Sequence, residues 1–329
     1  MYYWNDLAEV PSDIGPTVVT IGNFDGVHLG HQHVLSRLVK AAREHDAAAV
    51  AVSFDPHPAA VHRPDNAPVM IMGPADRTEA LAGTGLDGLL MVHYDLELAS
   101  LTAEEFVRKY LTDGLHAVAV VLGHDARFGR GNSGDLDTMR ELGAELGFEV
   151  IAVDDFDALP QGPEDSRGRR CSSTWIREAL AAGDVRTAAR LLGRTHRMRG
   201  VVVHGAARGR ELGFPTANLA PESTGLIPAD GVYAGWLVGA DGTRWPAAIS
   251  VGSNPTFIGV SRQVEAHVID RPAEAVEDFD LYGQCVGVEF VERLRGMVAY
   301  TGPEALIEQM RLDVSRTREV LSTEGPAAG

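Results

Sequence analysis

The chain has almost no lysine. Lys40 and Lys109 are the only two in 329 residues, and neither stands in a GxxxxGK[ST] context, so a lysine-dependent phosphate loop is excluded. No GxGxxG follows an apolar run, which removes the dinucleotide fingerprint as well. A nucleotide handled here must be gripped by other means. Cysteine is scarce too: Cys171 and Cys285 lie far apart and match neither a disulfide framework nor a zinc spacing. No apolar stretch is long enough to span a bilayer. The opening MYYWNDLAEV has no basic segment leading into an apolar run, so no secretory leader is expected. These absences describe a cytoplasmic protein with no membrane partner.

What is present describes a soluble globular chain. Hydrophobic residues make up 45% and charged residues 23%, and the length exceeds one ordinary hydrophobic core, so two domains are expected. The formal net charge of -17 disfavours DNA, RNA and anionic membranes as partners. It does not disfavour anionic small molecules, which a few arginines and backbone amides can bind locally. Composition leaves the oligomeric state open, a homo-oligomer included.

Short apolar runs at 17–21, 48–54, 89–92, 118–122 and 149–153 alternate with helical patterns. In HVLSRLVKAAREH, Val34, Leu35, Leu38, Val39 and Ala42 share one helical face; EEFVRKYL and LDTMRELGAEL read the same way. This order predicts a parallel sheet covered on both faces, with ligands beyond the carboxyl ends of its strands. The pattern breaks in the polar loop 157–170, and helices follow at 175–182 and in VRTAARLLG. From about residue 198 the period becomes two. RMRGVVVHG, GVYAGWLVG, TRWPAAISVG, QVEAHVID and QCVGVEFVERL read as strands of a small barrel or sandwich. PEALIEQMRLDVSRTREVL is a final amphipathic helix.

The first strand runs straight into TIGNFDGVHLGH (20–31). His28 and His31 are spaced to face the same space across a helix start. The free amides of that helix end form an anion site, where imidazoles can donate to phosphate oxygens. Gly26 and Gly30 let backbone approach a ligand, and Asn23 and Asp25 add a polar wall. A two-histidine metal pair, or a helix start with incidental histidines, stays open on these residues alone.

TIGNFDGVHLGH resembles the GxFDGxHxGH signature of bacterial bifunctional riboflavin kinase/FMN adenylyltransferases, whose N-terminal domain is a nucleotidyltransferase. Three later segments are similar to family segments in the same order. SFDPHP (53–58) resembles a segment near the flavin phosphate, although Asp-Pro and His-Pro are also ordinary turn formers. GHDARFGRGNSGD (123–135) resembles G-x-[DN]-F-x-F-G, with Ala126 where the family has phenylalanine. There Asp125 takes the polar position, Arg127 is placed to pair with phosphate and Phe128 to line a ring pocket; a glycine-rich surface loop is the plain alternative. RRCSSTWIREAL (169–180) resembles I-S-S-[ST]-x-I-R. Ser173 and Thr174 open a helix and can grip phosphate oxygens or merely cap it, while Arg170 and Arg177 offer bidentate donors. The resemblance implies that FMN attacks the α-phosphorus of ATP and pyrophosphate leaves, a reaction of positioning and charge stabilisation. It assigns catalysis to His28 and His31. ATP contacts fall to Gly22, Asn23, Phe24, Asp25, Gly30, Arg170, Ser173, Thr174 and Arg177, and FMN contacts to His57, Asp125, Arg127 and Phe128.

VVVHGAARGRELGFPTANL (201–219) closely matches the riboflavin kinase signature. Pro215 fixes its own φ and so helps present Thr216. Thr216 and Asn218 lie two apart on an extended run and point to one side; their oxygens suit magnesium, which keeps waters and substrate phosphates as its other ligands. The resemblance places ATP and Mg²⁺ against Gly205, Gly209, Arg210, Gly213, Phe214, Pro215, Thr216 and Asn218. SVGSNPTF, VEAHVID and DLYGQCVGVEFVERLR also match in order, and Glu265 aligns with the family's general base for the riboflavin 5′-hydroxyl. The expected architecture is a Rossmann-like α/β nucleotidyltransferase domain (1–185) followed by a small antiparallel riboflavin kinase-like β-barrel with a terminal helix (186–329). ATP, riboflavin and FMN are the expected substrates and Mg²⁺ the cofactor. A nucleotidyltransferase for another phosphate ester and a non-catalytic flavin-storage protein are the rivals.

Overall fold

The computed structural model describes residues 1–156, 168–205, 214–256, 259–270, 281–298, 300 and 302–323, with backbone alone at 254–256, 259–261 and 303. The chain divides into two compact units. One comprises Met1–Val69 with Pro74–Ser172, the other Met70–Gly73 with Ser173–Gly329.

The first unit is built on six parallel strands, β1 (Tyr2–Trp4), β2 (Thr17–Ile21), β3 (Ala48–Asp55), β4 (Gly88–His93), β5 (Ala117–Gly123) and β6 (Glu149–Val153), in the order β1-β4-β3-β2-β5-β6. β2 reads TVVTI, and its first four residues are buried, as a strand covered on both faces requires. Its neighbours β3 and β5 lie on opposite sides, so the chain direction switches there and a crevice opens beyond its carboxyl end. The helices are α1 (Leu29–Glu44), α2 (Pro58–His62), α3 (Pro74–Ala82), α4 (Leu96–Ser100), α5 (Ala103–Phe106) and α6 (Leu136–Leu146). α1 buries Leu35, Leu38, Ala41 and Ala42, close to the expected face. EEFVRKYL is less regular than its pattern: α5, held by a Thr102–Glu105 capping box, passes into a π-helical turn at Val107–Thr112. The three-residue edge strand β1 carries too little pattern to be legible in advance.

The second unit opens with α7 (Ser173–Ala182) and α8 (Val185–Leu192) and continues into six antiparallel strands. These are β7 (His196–Val203), β8 (Ala217–Leu219), β9 (Gly231–Val238), β10 (Arg244–Thr256), β11 (Gly259–Val268) and β12 (Cys285–Arg295), closed into a barrel in the order β10-β11-β8-β7-β12-β9. Of the two expected forms, the barrel is the one adopted. Tyr233 and Phe290 meet edge to face in its core, ring centroids 5.4 Å apart. The terminal helix, Pro303–Thr323, packs Val320 and Leu321 on Ala234 and Val291. It is also held by Arg295, which donates to Asp313 through Nε at 2.9 Å and Nη2 at 2.7 Å.

At Gly235 in β9 the barrel leaves no room for a side chain. A Cβ there would overlap the Glu289 carbonyl oxygen and stand 2.5 Å from Ile249 Cδ1. Gly235→Ala should therefore destabilise the protein by about 1–3 kcal/mol, the usual cost of overpacking, measured as a lower urea midpoint with an unchanged slope.

Candidate active sites

The loop after β2 turns through two positive-φ residues other than glycine, Phe24 (47°) and Val27 (39°), before α1 begins. His28 is the N-cap of α1, and its Nδ1 accepts the His31 amide at 3.3 Å. His28 is buried, and its ring stacks on His31 with centroids 3.6 Å apart. Phe24 meets the other imidazole edge-on at 5.4 Å. The two rings thus share one space, as their spacing implied.

The amides at this helix head are not free, which corrects the expectation. Besides the His31 amide taken by His28, those of Leu29 and Gly30 point at the sulfur of Cys171, which also lies 3.5 Å from His28 Nδ1. Burial pushes the Cys171 thiol pKa up despite those amides. The helix head is thus capped by the side chains of His28 and Cys171. Among the described residues no group of three or more His, Cys, Asp or Glu is arranged to hold a metal ion, so a histidine metal pair gains no third ligand.

Beside this head lies a cavity of about 630 Å³. Gly22, Asn23, Phe24 and His31 line one side, and His57, Asp125, Arg127 and Phe128 contribute elsewhere. His57 caps α2 by accepting the Ala59 amide at 3.1 Å, so its segment is both a turn former and part of the wall. Phe54, Tyr94, Phe106 and Phe128 form an aromatic wall: Phe54 meets Tyr94 edge-on at 5.5 Å, and Phe106 tilts against Phe128 at 6.5 Å. The Tyr94 hydroxyl pairs with His62 Nε2 at 2.9 Å. Tyr94, His62 and Phe106 escaped the sequence reading because no local motif contains them.

Beneath the loop, the buried Arg77 donates to the carbonyls of Asn23 and Phe54, each at 3.4 Å. Arg77 stands among Asp76, Thr78 and Glu79 in a polar stretch, so its burial left no mark on the sequence. Asp25 is buried in the loop, and neither Asp25, His28, Gly30 nor Arg170 lines the cavity. Arg170 is instead engaged by two carboxylates, Asp125 Oδ2 at 2.6 Å and Asp155 Oδ1 at 3.4 Å. Partial burial lowers the guanidinium pKa, but these two charges outweigh it and hold it above its usual value.

In the second unit, Ser173 and Thr174 form the first turn of α7, with Arg177 one turn on. Residues 214–216 lead into β8, where Asn218 pairs in register with Glu265 of β11. Thr216 Oγ1 donates to Glu265 Oε2 at 3.3 Å and accepts from Asn218 Nδ2 at 3.2 Å. Gly205 borders this cluster: a Cβ there would overlap Asn218 Oδ1 and lie 2.5 Å from its Nδ2. Phe214 meets the His267 ring edge-on at 5.3 Å, and Pro215 accepts from that histidine. Gly209, Arg210 and Gly213 lie outside the described residues. A hydroxyl, an amide and a carboxylate thus converge on one side of the barrel.

Two family models match the chain, FAD synthetase over residues 10–162 and riboflavin kinase over 192–321. The bifunctional riboflavin kinase/FMN adenylyltransferase of Escherichia coli K12 is 32% identical over 323 residues, covering 98% of both chains. That of Pseudomonas fluorescens is 37% identical over 302 residues, covering 92% of each. A solved structure described as a macrolide-efflux protein from Streptococcus pneumoniae superposes with a TM-score of 0.82 at 31% identity, over 96% of this chain and 98% of that one. Among the described residues no helix is long and apolar enough to cross a membrane.

The carboxylates around Arg170 compete with any phosphate for it. Asp125→Asn should tighten binding of inorganic pyrophosphate by about two- to fivefold, the scale of an exposed ion pair, with a smaller gain for the more distant Asp155→Asn. Calorimetric titration at fixed ionic strength measures both.

Proposed function

The chain belongs to the family of bifunctional riboflavin kinase/FMN adenylyltransferases, and on that premise we propose how its residues divide the work. The C-terminal region phosphorylates riboflavin to FMN with ATP, and the N-terminal region adenylylates FMN to FAD with a second ATP. What supports the residue assignment is two local groupings, the stacked imidazoles beside the aromatic cavity in the first unit and Thr216, Asn218 and Glu265 on the barrel.

For adenylyl transfer, the His28 cap fixes the chemistry of its ring. A nitrogen that accepts an amide hydrogen bond carries no proton, so in the neutral ring Nε2 holds it and is the donor. That N–H, with His31 stacked beside it, stabilises the charge growing on the departing pyrophosphate. Gly22, Asn23, Phe24, Asp25 and Gly30 shape the triphosphate's approach. Ser173, Thr174 and Arg177 are assigned to the same ATP, as is Arg170 once phosphate replaces its carboxylates. The isoalloxazine ring suits the wall of Phe54, Tyr94, Phe106 and Phe128, with His57 and Arg127 toward its phosphate and Asp125 at the polar position of the same FMN pocket. The proposed functional boundary at 185/186 keeps α7 with this reaction although it packs compactly with the barrel.

For phosphoryl transfer, Glu265 takes the proton of the riboflavin 5′-hydroxyl as the γ-phosphoryl group moves. Mg²⁺ is the proposed cation. The fit rests on hard oxygen donors at Thr216 and Asn218 and on the space that Gly205 leaves beside Asn218. Bound there, the ion would neutralise phosphate charge, while Thr216 and Asn218 orient the nucleotide. Substrate supply suits a cytoplasmic enzyme.

The two reactions should separate by mutation. His28→Ala should slow FAD formation by about a hundredfold or more and leave riboflavin phosphorylation within twofold of wild type, about the noise of such assays. Glu265→Gln should do the reverse, abolishing FMN formation while supplied FMN still becomes FAD. Chromatography of flavin products after incubation with ATP and magnesium reads both. Loss of both steps in either variant would refute one reaction per region, and unchanged flavin with wild-type protein would leave storage as the function.

A further inference from the structure

Glu265 and His267 stand two apart on β11, alternating with Val264, Ala266 and Val268, all buried in the barrel. Both therefore project from the same face, and both reach the segment leading into β8. Glu265 accepts from the Thr216 hydroxyl, and His267 Nδ1 lies 2.8 Å from the Pro215 carbonyl oxygen. A carbonyl only accepts, so the proton sits on Nδ1 and the imidazole is the donor. Phe214 closes edge-on against the same ring.

This contact falls just ahead of the β8 ladder. Residues 214–216 belong to no strand, and ladder pairing with β11 begins only at Ala217, opposite Ala266. Proline fixes φ at 215 but leaves the orientation of its carbonyl to ψ. The His267 hydrogen bond supplies that missing restraint one residue before Thr216. A tilt of this peptide plane would carry the Thr216 hydroxyl away from Glu265 and Asn218 together.

We propose that His267 is a positioning residue of the phosphoryl-transfer site, acting through the Pro215 carbonyl to hold Thr216 where it meets the nucleotide-bound cation. This rests on the kinase reading above. The imidazole touches neither substrate nor reacting atoms in this role. Its contribution is orientation, and misplacement of a site by about 1 Å can cost a hundredfold in rate.

The test compares donor-deleting with donor-retaining variants. His267→Leu should lower kcat for riboflavin phosphorylation by about ten- to a hundredfold, with KM for riboflavin changed by less than about twofold. Binding of Mn²⁺·ADP, followed by electron paramagnetic resonance, should weaken about tenfold, as expected for one lost hydrogen bond. His267→Asn, whose amide nitrogen falls near the position of Nδ1, should restore both to within about threefold of wild type. Conversion of supplied FMN to FAD should persist in both, reporting an intact chain. Wild-type kcat and Mn²⁺·ADP affinity in His267→Leu would overturn the proposal, as would equal loss in His267→Asn, which would assign the effect to ring packing against Phe214. If His267→Leu fails to fold, His267→Asp removes the donor at similar size, and activity equal to His267→Asn would overturn it. Wild-type protein that makes no FMN would instead refute the kinase reading itself.

Discussion

A buried amide or carbonyl must find a partner, and both candidate sites stand where the regular ladder stops supplying one. At the end of β2, the Gly22 amide still reaches the Val52 carbonyl at 3.0 Å. Beyond it the chain leaves the sheet, and the first amides of α1 turn to His28 and Cys171. In the barrel, the carbonyls of Pro215 and Thr216 precede the β8 ladder and accept from His267 and Asn218 side chains. The side chains that complete the backbone's hydrogen bonding are thus largely the ones assigned to chemistry. An N-cap contributes about 1 kcal/mol, so the geometry of His28 is maintained by folding itself, before any ligand arrives.

That coupling governs what could be read in advance. β2, β5 and β6 were legible because a continuous apolar run bounded by turn residues has few other fates. The pairing of His28 with His31 was legible because they sit three apart in one motif. The cavity wall was not. Tyr94 follows β4, Phe106 ends α5 and His62 ends α2, and only the closing of the sheet brings them together. Cys171 shows the same limit from another side. It occupies the position where the family pattern has an apolar residue, and its sulfur reaches a histidine 143 residues away. Local reading supposed free amides because it had no means of placing that sulfur. His267 lay in plain sight in VEAHVID, two residues from Glu265, yet its partner is a proline carbonyl, and carbonyls leave no mark on a sequence.

An acidic protein that takes polyanionic substrates appears paradoxical only if charge is counted over the whole chain. At physiological ionic strength the screening length is about 8 Å, so most of the -17 is invisible to a phosphate already in a pocket. What it meets is the local set. Around Arg170 that set is nearly balanced, one guanidinium facing two exposed carboxylates. A small anion replacing one carboxylate exchanges like for like and gains little, because exposed pairs contribute only about 0–1 kcal/mol. A polyphosphate differs, since oxygens held elsewhere along its length make the last contact effectively intramolecular. Carboxylates placed as they are around Arg170 disfavour a small anion relative to a polyphosphate already held nearby, a bias that an unpaired arginine would not provide.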